Sequence, residues 1–185
     1  MVTEPTLAAG LAFLDRHINL EATKGIAAGH SDGLSLDSMR SLMVLLGDPQ
    51  TDISAVHLTG TNGKGSTGAM ISQLLHVYGL TVGTYSSPHL SSINERIRLN
   101  GESIADDDFA ELLAVLEVVG GHLYNPPSYF ELLTAAAFRY FADVAVDAAV
   151  VEVGMLGRTD ATNVVDARVA VVTNIGYDHT DGAPG

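Results

Sequence analysis

The sequence predicts an α/β protein whose mostly parallel sheet is flanked by helices. Three features point there. Short β-rich runs alternate with helix-periodic stretches along the chain. Two of these runs, DAAVVEV at 147–153 and RVAVVT at 168–173, are apolar without alternation, the pattern of strands covered on both faces. A third run, 54–58, passes straight into a glycine loop that opens a helix, VHLTGTNGKGSTGAM.

Each element has its own signal. Leu7, Leu11, Leu14 and Ile18 recur at helical spacing, predicting a helix over 6–19. A second helix spans 36–46, closed by Gly47 and stopped by Pro49. The helix after the glycine loop covers 66–78, with Met70, Ile71, Leu74, Leu75 and Tyr78 as its expected buried face. Residues 81–85 read as a strand. Runs 95–99 and 102–104 flank Asn100-Gly101, a strong hairpin signal, and this hairpin would be an appended edge feature. A helix over 106–118 opens with three aspartates, where the helix dipole favours them. Another over 128–141 begins with Ser128 and Glu131, a capping-box spacing. The expected organisation is one domain, with a helical lead-in at 1–50 and an α/β core at 51–185.

Composition narrows the function classes. The chain has 185 residues, 46% of them hydrophobic, enough for a sizeable core. It has no Cys, which excludes disulfides and zinc-thiolate sites and fits a reducing compartment. No stretch approaches the roughly 18 unbroken apolar residues of a membrane span. The start carries Glu4, Asp15 and Arg16 rather than a basic, apolar leader. A cytoplasmic location is therefore expected. The formal charge is −13, so nucleic acid is not an expected partner. A protein this acidic must concentrate its few cations to hold a polyphosphate, or recruit a metal ion. Lys64, Arg96, Arg98 and Arg158 all lie in or beside motifs.

The glycine loop is the site-bearing motif. Its residues are Gly60, Thr61, Asn62, Gly63, Lys64, Gly65, Ser66 and Thr67. A strand that delivers the chain to a helix start presents unpaired N–H groups to an anion. Glycines let that backbone approach phosphate oxygens closely. Lys64 would reach the β/γ-phosphates of ATP, and the Ser66 hydroxyl would bind Mg²⁺. The spacing departs from G-x-x-x-x-G-K-[ST], because Gly65 separates Lys64 from Ser66. A tight turn with a solvent-facing lysine is the plainer alternative.

TGTNGKGST resembles the phosphate loop of the Mur ligase superfamily, in the form found in its folylpolyglutamate and dihydrofolate synthase branch. Further matches follow in order: SSPHL at 86–90, NERI at 94–97, YFELLTAAAF at 129–138, EVGMLGRTDATN at 152–163 and DHT at 178–180. The resemblance implies the superfamily's ATP-binding domain, related to phosphate-loop NTPases. It also implies ATP-dependent ligation of L-glutamate to a folate or dihydropteroate through an acyl phosphate, with ATP and Mg²⁺ as cofactors. Small molecules would be the partners, without membrane, and the chain would act as a monomer.

Residue by residue, the resemblance makes Lys64, Glu152 and His179 the catalytic set. Ser66, Ser87, Glu152 and His179 become metal ligands. Chemistry alone supports Glu152, at a strand's carboxyl end, more than His179, since Mg²⁺ prefers oxygen. An ordinary Ser-Pro turn explains Ser87 equally well. Arg96, Asp160, His89 and Arg158 match substrate-side positions. Arg96 would pair with substrate carboxylates or be a surface charge of the hairpin. Asp160 would face a pterin edge or cap the loop over Thr162 and Asn163.

Two departures stand out. Leu156 occupies a position where the branch usually has Gly, which puts folate binding by that loop in question. Family members also continue past DHT into a metal-supporting lysine and a second domain. The expectation is that this chain alone does not complete ligation. It would be a fragment of a longer ligase or a truncated, ligation-inactive nucleotide-binding homologue; another Mur-type ligase is the remaining alternative.

Overall fold

A computed structural model describes residues 4–19, 21, 35–155 and 157–176. Leu156, His179 and the DHT motif lie outside them. Five α-helices are described: α1 (Leu7–Leu14), α2 (Asp37–Leu45), α3 (Lys64–Val77), α4 (Asp106–Gly120) and α5 (Tyr129–Asp143). Six strands accompany them: β1 (Ala55–Thr59), β2 (Val82–Tyr85), β3 (Ile97–Leu99), β4 (Glu102–Ser103), β5 (Ala148–Glu152) and β6 (Val169–Val172). The first helix is shorter than its spacing predicts, and the 3-10 turn Ile93–Arg96 takes part of the expected hairpin strand.

The sheet runs β4-β3-β2-β5-β1-β6. β2, β5, β1 and β6 are parallel, while β3 and β4 pair antiparallel at one edge. The hairpin turns at Asn100 (φ 53) and Gly101 (φ 90), both left-handed, as the Asn-Gly pair requires. β5 lies between β1 and β2, so the connection through α3 must cross over it. Such switch points leave a crevice at the carboxyl ends of the strands.

Strand alternation divides the core. Ala149 and Val151 of β5 face a large cluster with Leu132, Leu133, Phe138 and Phe141 of α5. Val150 faces the other way, with Leu58 and Val82, against Ile71 and Leu75 of α3. The lead-in helices join the larger cluster through Leu14, Met39, Leu42 and Met43, and α1 packs on α4. α5 lies close to the sheet because Ala135, Ala136 and Ala137 are fully buried. Its start carries the expected capping box, with Ser128 and Glu131 reciprocally bonded.

Two expectations are corrected. On α3 the buried positions are Gly68 and Ser72, whereas Met70, Leu74 and Tyr78 are exposed. Small residues let this helix sit low over β5, and Gly68 faces Val150. Met70 and Leu74 therefore turn outward, while Ile71 and Leu75 stay against the sheet as expected. The unbroken apolar run predicts a β6 covered on both faces, but Val169 and Val172 are more than half exposed. It is an edge strand, and among the described residues no strand pairs with its outer side.

Gly83 of β2 has no room for a side chain, because a Cβ there would lie 2.6 Å from the Phe141 ring. Gly83→Ala should therefore destabilise the chain by about 1–3 kcal/mol. Urea denaturation checks this: the midpoint falls and the slope is unchanged.

Candidate phosphate and metal site

The glycine loop lies at the carboxyl end of β1. Gly60 (φ 141) and Gly63 (φ 78) take conformations that other residues rarely adopt. A Cβ on Gly60 would lie 2.0 Å from the Thr173 hydroxyl, so this position tolerates only glycine. The loop is braced by the chain after β6. Thr61 N–H donates to the Asn174 carbonyl (3.2 Å) and Asn62 N–H to Asn174 Oδ1 (2.9 Å). Thr173 Oγ1 donates to the Asn62 carbonyl at 2.7 Å. Asn174 and Thr173 carry no sequence motif, and only the fold brings them here.

α3 begins at Lys64 with Gly63 as its N-cap, and no side chain caps it. Its first N–H groups are free to receive an anion. Gly63, Gly65 and Ser66 are exposed, so this helix start opens to solvent. Lys64 is half-buried rather than solvent-facing, and its Nζ donates to the Gly60 carbonyl at 2.8 Å. The ammonium is thereby folded back over the loop.

Glu152 ends β5 on the α3 face and is 7% exposed. Its Oε2 lies 3.5 Å from where a Gly65 side chain would begin. Burial pushes its carboxyl above the ordinary carboxylate range, while Lys64 and the Ser87 N–H pull the other way. Ser66, Ser87 and Glu152 line one cleft of about 460 Å³. Three of the four expected metal ligands thus converge, and the fourth, His179, lies outside the described residues. The donors are one carboxylate and two hydroxyls. Oxygen ligands of this kind suit Mg²⁺, which keeps waters and shares phosphate oxygens. Among the described residues no three His, Asp or Glu side chains cluster to hold a metal unaided.

Of the expected substrate-side residues, Arg96 and Asp160 are buried, His89 is half-buried and Arg158 is exposed. Arg96 is 2% exposed, which excludes a surface charge. Its guanidinium donates to both oxygens of Glu21 (3.1 and 2.7 Å), and its Nε donates to His89 Nδ1 (2.9 Å). Glu21 carried no sequence signal. Asp160 is also buried and adopts the loop-capping geometry over Thr162, bonding its N–H (3.0 Å) and hydroxyl (2.5 Å), and it accepts from Met155 N–H at 3.0 Å. Arg158 is exposed on the 3-10 turn Gly157–Thr159. A second pocket joins Gly60, Thr61 and Lys64 to Gly154 and Met155.

Strand, glycine loop and helix on a parallel sheet, with a buried carboxylate beside the helix start, define a phosphate-loop α/β domain. Comparison with known proteins sharpens this. The model of the Mur ligase middle domain matches residues 58–184, and the chain belongs to that family. A dihydrofolate synthase/folylpolyglutamate synthase of Bacillus subtilis is 44% identical over 149 residues, covering 78% of this chain and 35% of that protein. The structure of E. coli FolC in complex with DHPP and ADP matches with a TM-score of 0.82 at 34% identity, covering 97% of this chain and 41% of that one. A bifunctional folylpolyglutamate synthase/dihydrofolate synthase with Mn, AMPPNP and L-glutamate bound gives 0.80 at 32% identity, covering 95% and 42%. The chain spans about a third of the curated relative's length. Among the described residues no helix is long and apolar enough to cross a membrane.

His57 of β1 is held below the ordinary histidine value of 6.5, chiefly by burial, with Asp160 opposing. Thr162 bonds it, and Arg40 and Arg158 line the same cleft. A folded value below the unfolded one means that stability is fully present above 6.5 and is lost as pH falls toward the folded value. Melting temperature should therefore drop as pH is lowered below 6.5, and His57→Gln should flatten that drop.

Proposed function

We propose that this chain supplies the ATP- and Mg²⁺-binding part of a ligase that joins L-glutamate to a folate or to dihydropteroate. The observation that carries the reading is the buried Glu152 carboxylate beside Gly65, sharing a cleft with Ser66 and Ser87 at an open helix start. The names of the relatives, and the nucleotide, metal and glutamate in the neighbouring structures, support the same reading.

In the proposed reaction a substrate carboxylate oxygen attacks the γ-phosphorus of ATP. The bond to the β-phosphate oxygen breaks, giving an acyl phosphate and ADP. The glutamate amine then attacks the acyl carbon, inorganic phosphate leaves and the amine loses a proton. A carboxylate is a poor electrophile, so phosphorylation supplies its leaving group. Bound Mg²⁺ would neutralise phosphate charge. The amides of residues 63–66, which have no intrahelical acceptor, hold and orient the phosphates, and the Lys64 ammonium offsets charge on an acidic molecule. Ser66, Ser87 and Glu152 would hold the ion, with His179 as a further ligand. Arg96, bonded to Glu21 and His89, and Asp160, bonded to Thr162, would brace the substrate side from within the fold. Arg158, exposed, would meet a substrate carboxylate.

Lys64→Ala should abolish Mg-ATP binding in calorimetry, a loss of at least about a hundredfold in affinity. Arg168→Ala should leave binding within about twofold, since Arg168 bonds Ser54 at the opposite end of β1. Unaltered affinity in the Lys64 variant would remove the site. Glutamate-dependent ADP release separates ligation from nucleotide binding alone.

A further inference from the structure

β1 presents Leu58 toward α3 and His57 to the opposite face. There His57 Nε2 lies 2.8 Å from Thr162 Oγ1. Thr162 is fully buried, and its hydroxyl lies 2.5 Å from Asp160 Oδ1. An ionised carboxylate only accepts, so the single hydroxyl proton of Thr162 goes to Asp160. Thr162 Oγ1 must then accept from His57, which fixes the proton on Nε2. The chain of donors runs one way, from His57 to Thr162 to Asp160. The far carboxylate oxygen, Oδ2, accepts the Met155 N–H at 3.0 Å.

Met155 belongs to the loop after β5, which is tightly confined. A Cβ on Gly154 would lie 2.6 Å from the Phe130 ring and 3.1 Å from Asp160 Oδ2. This loop forms the wall facing Gly60 and Lys64 in the second pocket. His57 lies three residues before Gly60 on the strand that enters the phosphate loop. The network thus ties the two walls of that pocket together from beneath.

We propose that His57 is a positioning residue, acting through Thr162 and Asp160 to hold the Met155 loop against the phosphate loop; its catalytic relevance rests on the nucleotide-binding reading. His57 is half-buried in a cleft that Thr59, Arg158 and Asn163 also line, and Thr162 is its hydrogen-bond partner there. Its role requires a donor at Nε2 and no change of charge.

The test uses His57→Ala, Thr162→Val and His57→Gln, the last of which keeps an N–H donor at similar reach. In the first two, the Met155 amide should exchange with solvent about tenfold faster, as loss of a buried hydrogen bond allows, while the α5 amides of Leu133 and Phe138 are unchanged. The Mg-ATP dissociation constant should rise about fivefold in both. His57→Gln should restore Met155 protection and nucleotide affinity to near the wild-type level. Unchanged Met155 exchange in the Ala and Val variants, or a Gln variant as impaired as Ala, overturns the proposal. Nitrogen NMR of wild-type His57 decides it even where a variant unfolds: the Nε2–H tautomer is required, and the Nδ1–H tautomer contradicts it. Should wild type fail to bind Mg-ATP, the functional reading fails, and Met155 exchange still decides the positioning role.

Discussion

An uncapped helix start facing the carboxyl ends of parallel strands is the constraint on which the rest depends. Four N–H groups at such an end lack intrahelical partners, and the helix dipole adds positive potential there. In a chain carrying −13 formal charge, that potential is scarce. The fold concentrates it at α3, where no acidic residue occupies the first turn. α4 is the contrast: its first turn carries Asp106, Asp107 and Asp108, so its own dipole is already answered.

Glu152 accounts for the other half of the arrangement. A carboxylate at a buried strand end is costly unless a cation answers it. Lys64 is close enough to influence it, yet its ammonium is bonded to the Gly60 carbonyl. The geometry leaves the carboxylate beside two hydroxyls and an open cleft.

Much of this was legible in the sequence because local rules governed it. Asn100-Gly101 specified the hairpin, Ser128 and Glu131 the start of α5, and the glycine loop its own strand–turn–helix context. What failed was long-range. The outward turn of Met70, Leu74 and Tyr78 could not be read from periodicity, since Gly68 and Ser72 share the β5-facing side of α3 with Ile71 and Leu75. The exposure of β6 follows from its place at the edge, which a single apolar run does not reveal.

The site shows the same division. Lys64, Ser66, Ser87 and Glu152 sit in recognisable motifs. Glu21, His57 and Asn174 act through partners 75, 105 and 112 residues away, as Arg96, Thr162 and Asn62 respectively, and no local pattern announces them. The sequence leaves Arg96 between a substrate contact and a surface charge; its burial and its pairing with Glu21 exclude the surface charge.

The most direct measurement is a titration of the chain with Mn²⁺-ATP, followed by paramagnetic broadening of backbone amide signals. The account predicts selective loss of signal at Gly65, Ser66, Ser87 and Glu152, while Ala110 and Leu113 of α4 stay sharp. Broadening centred on the aspartates that open α4, or none at all, would contradict it.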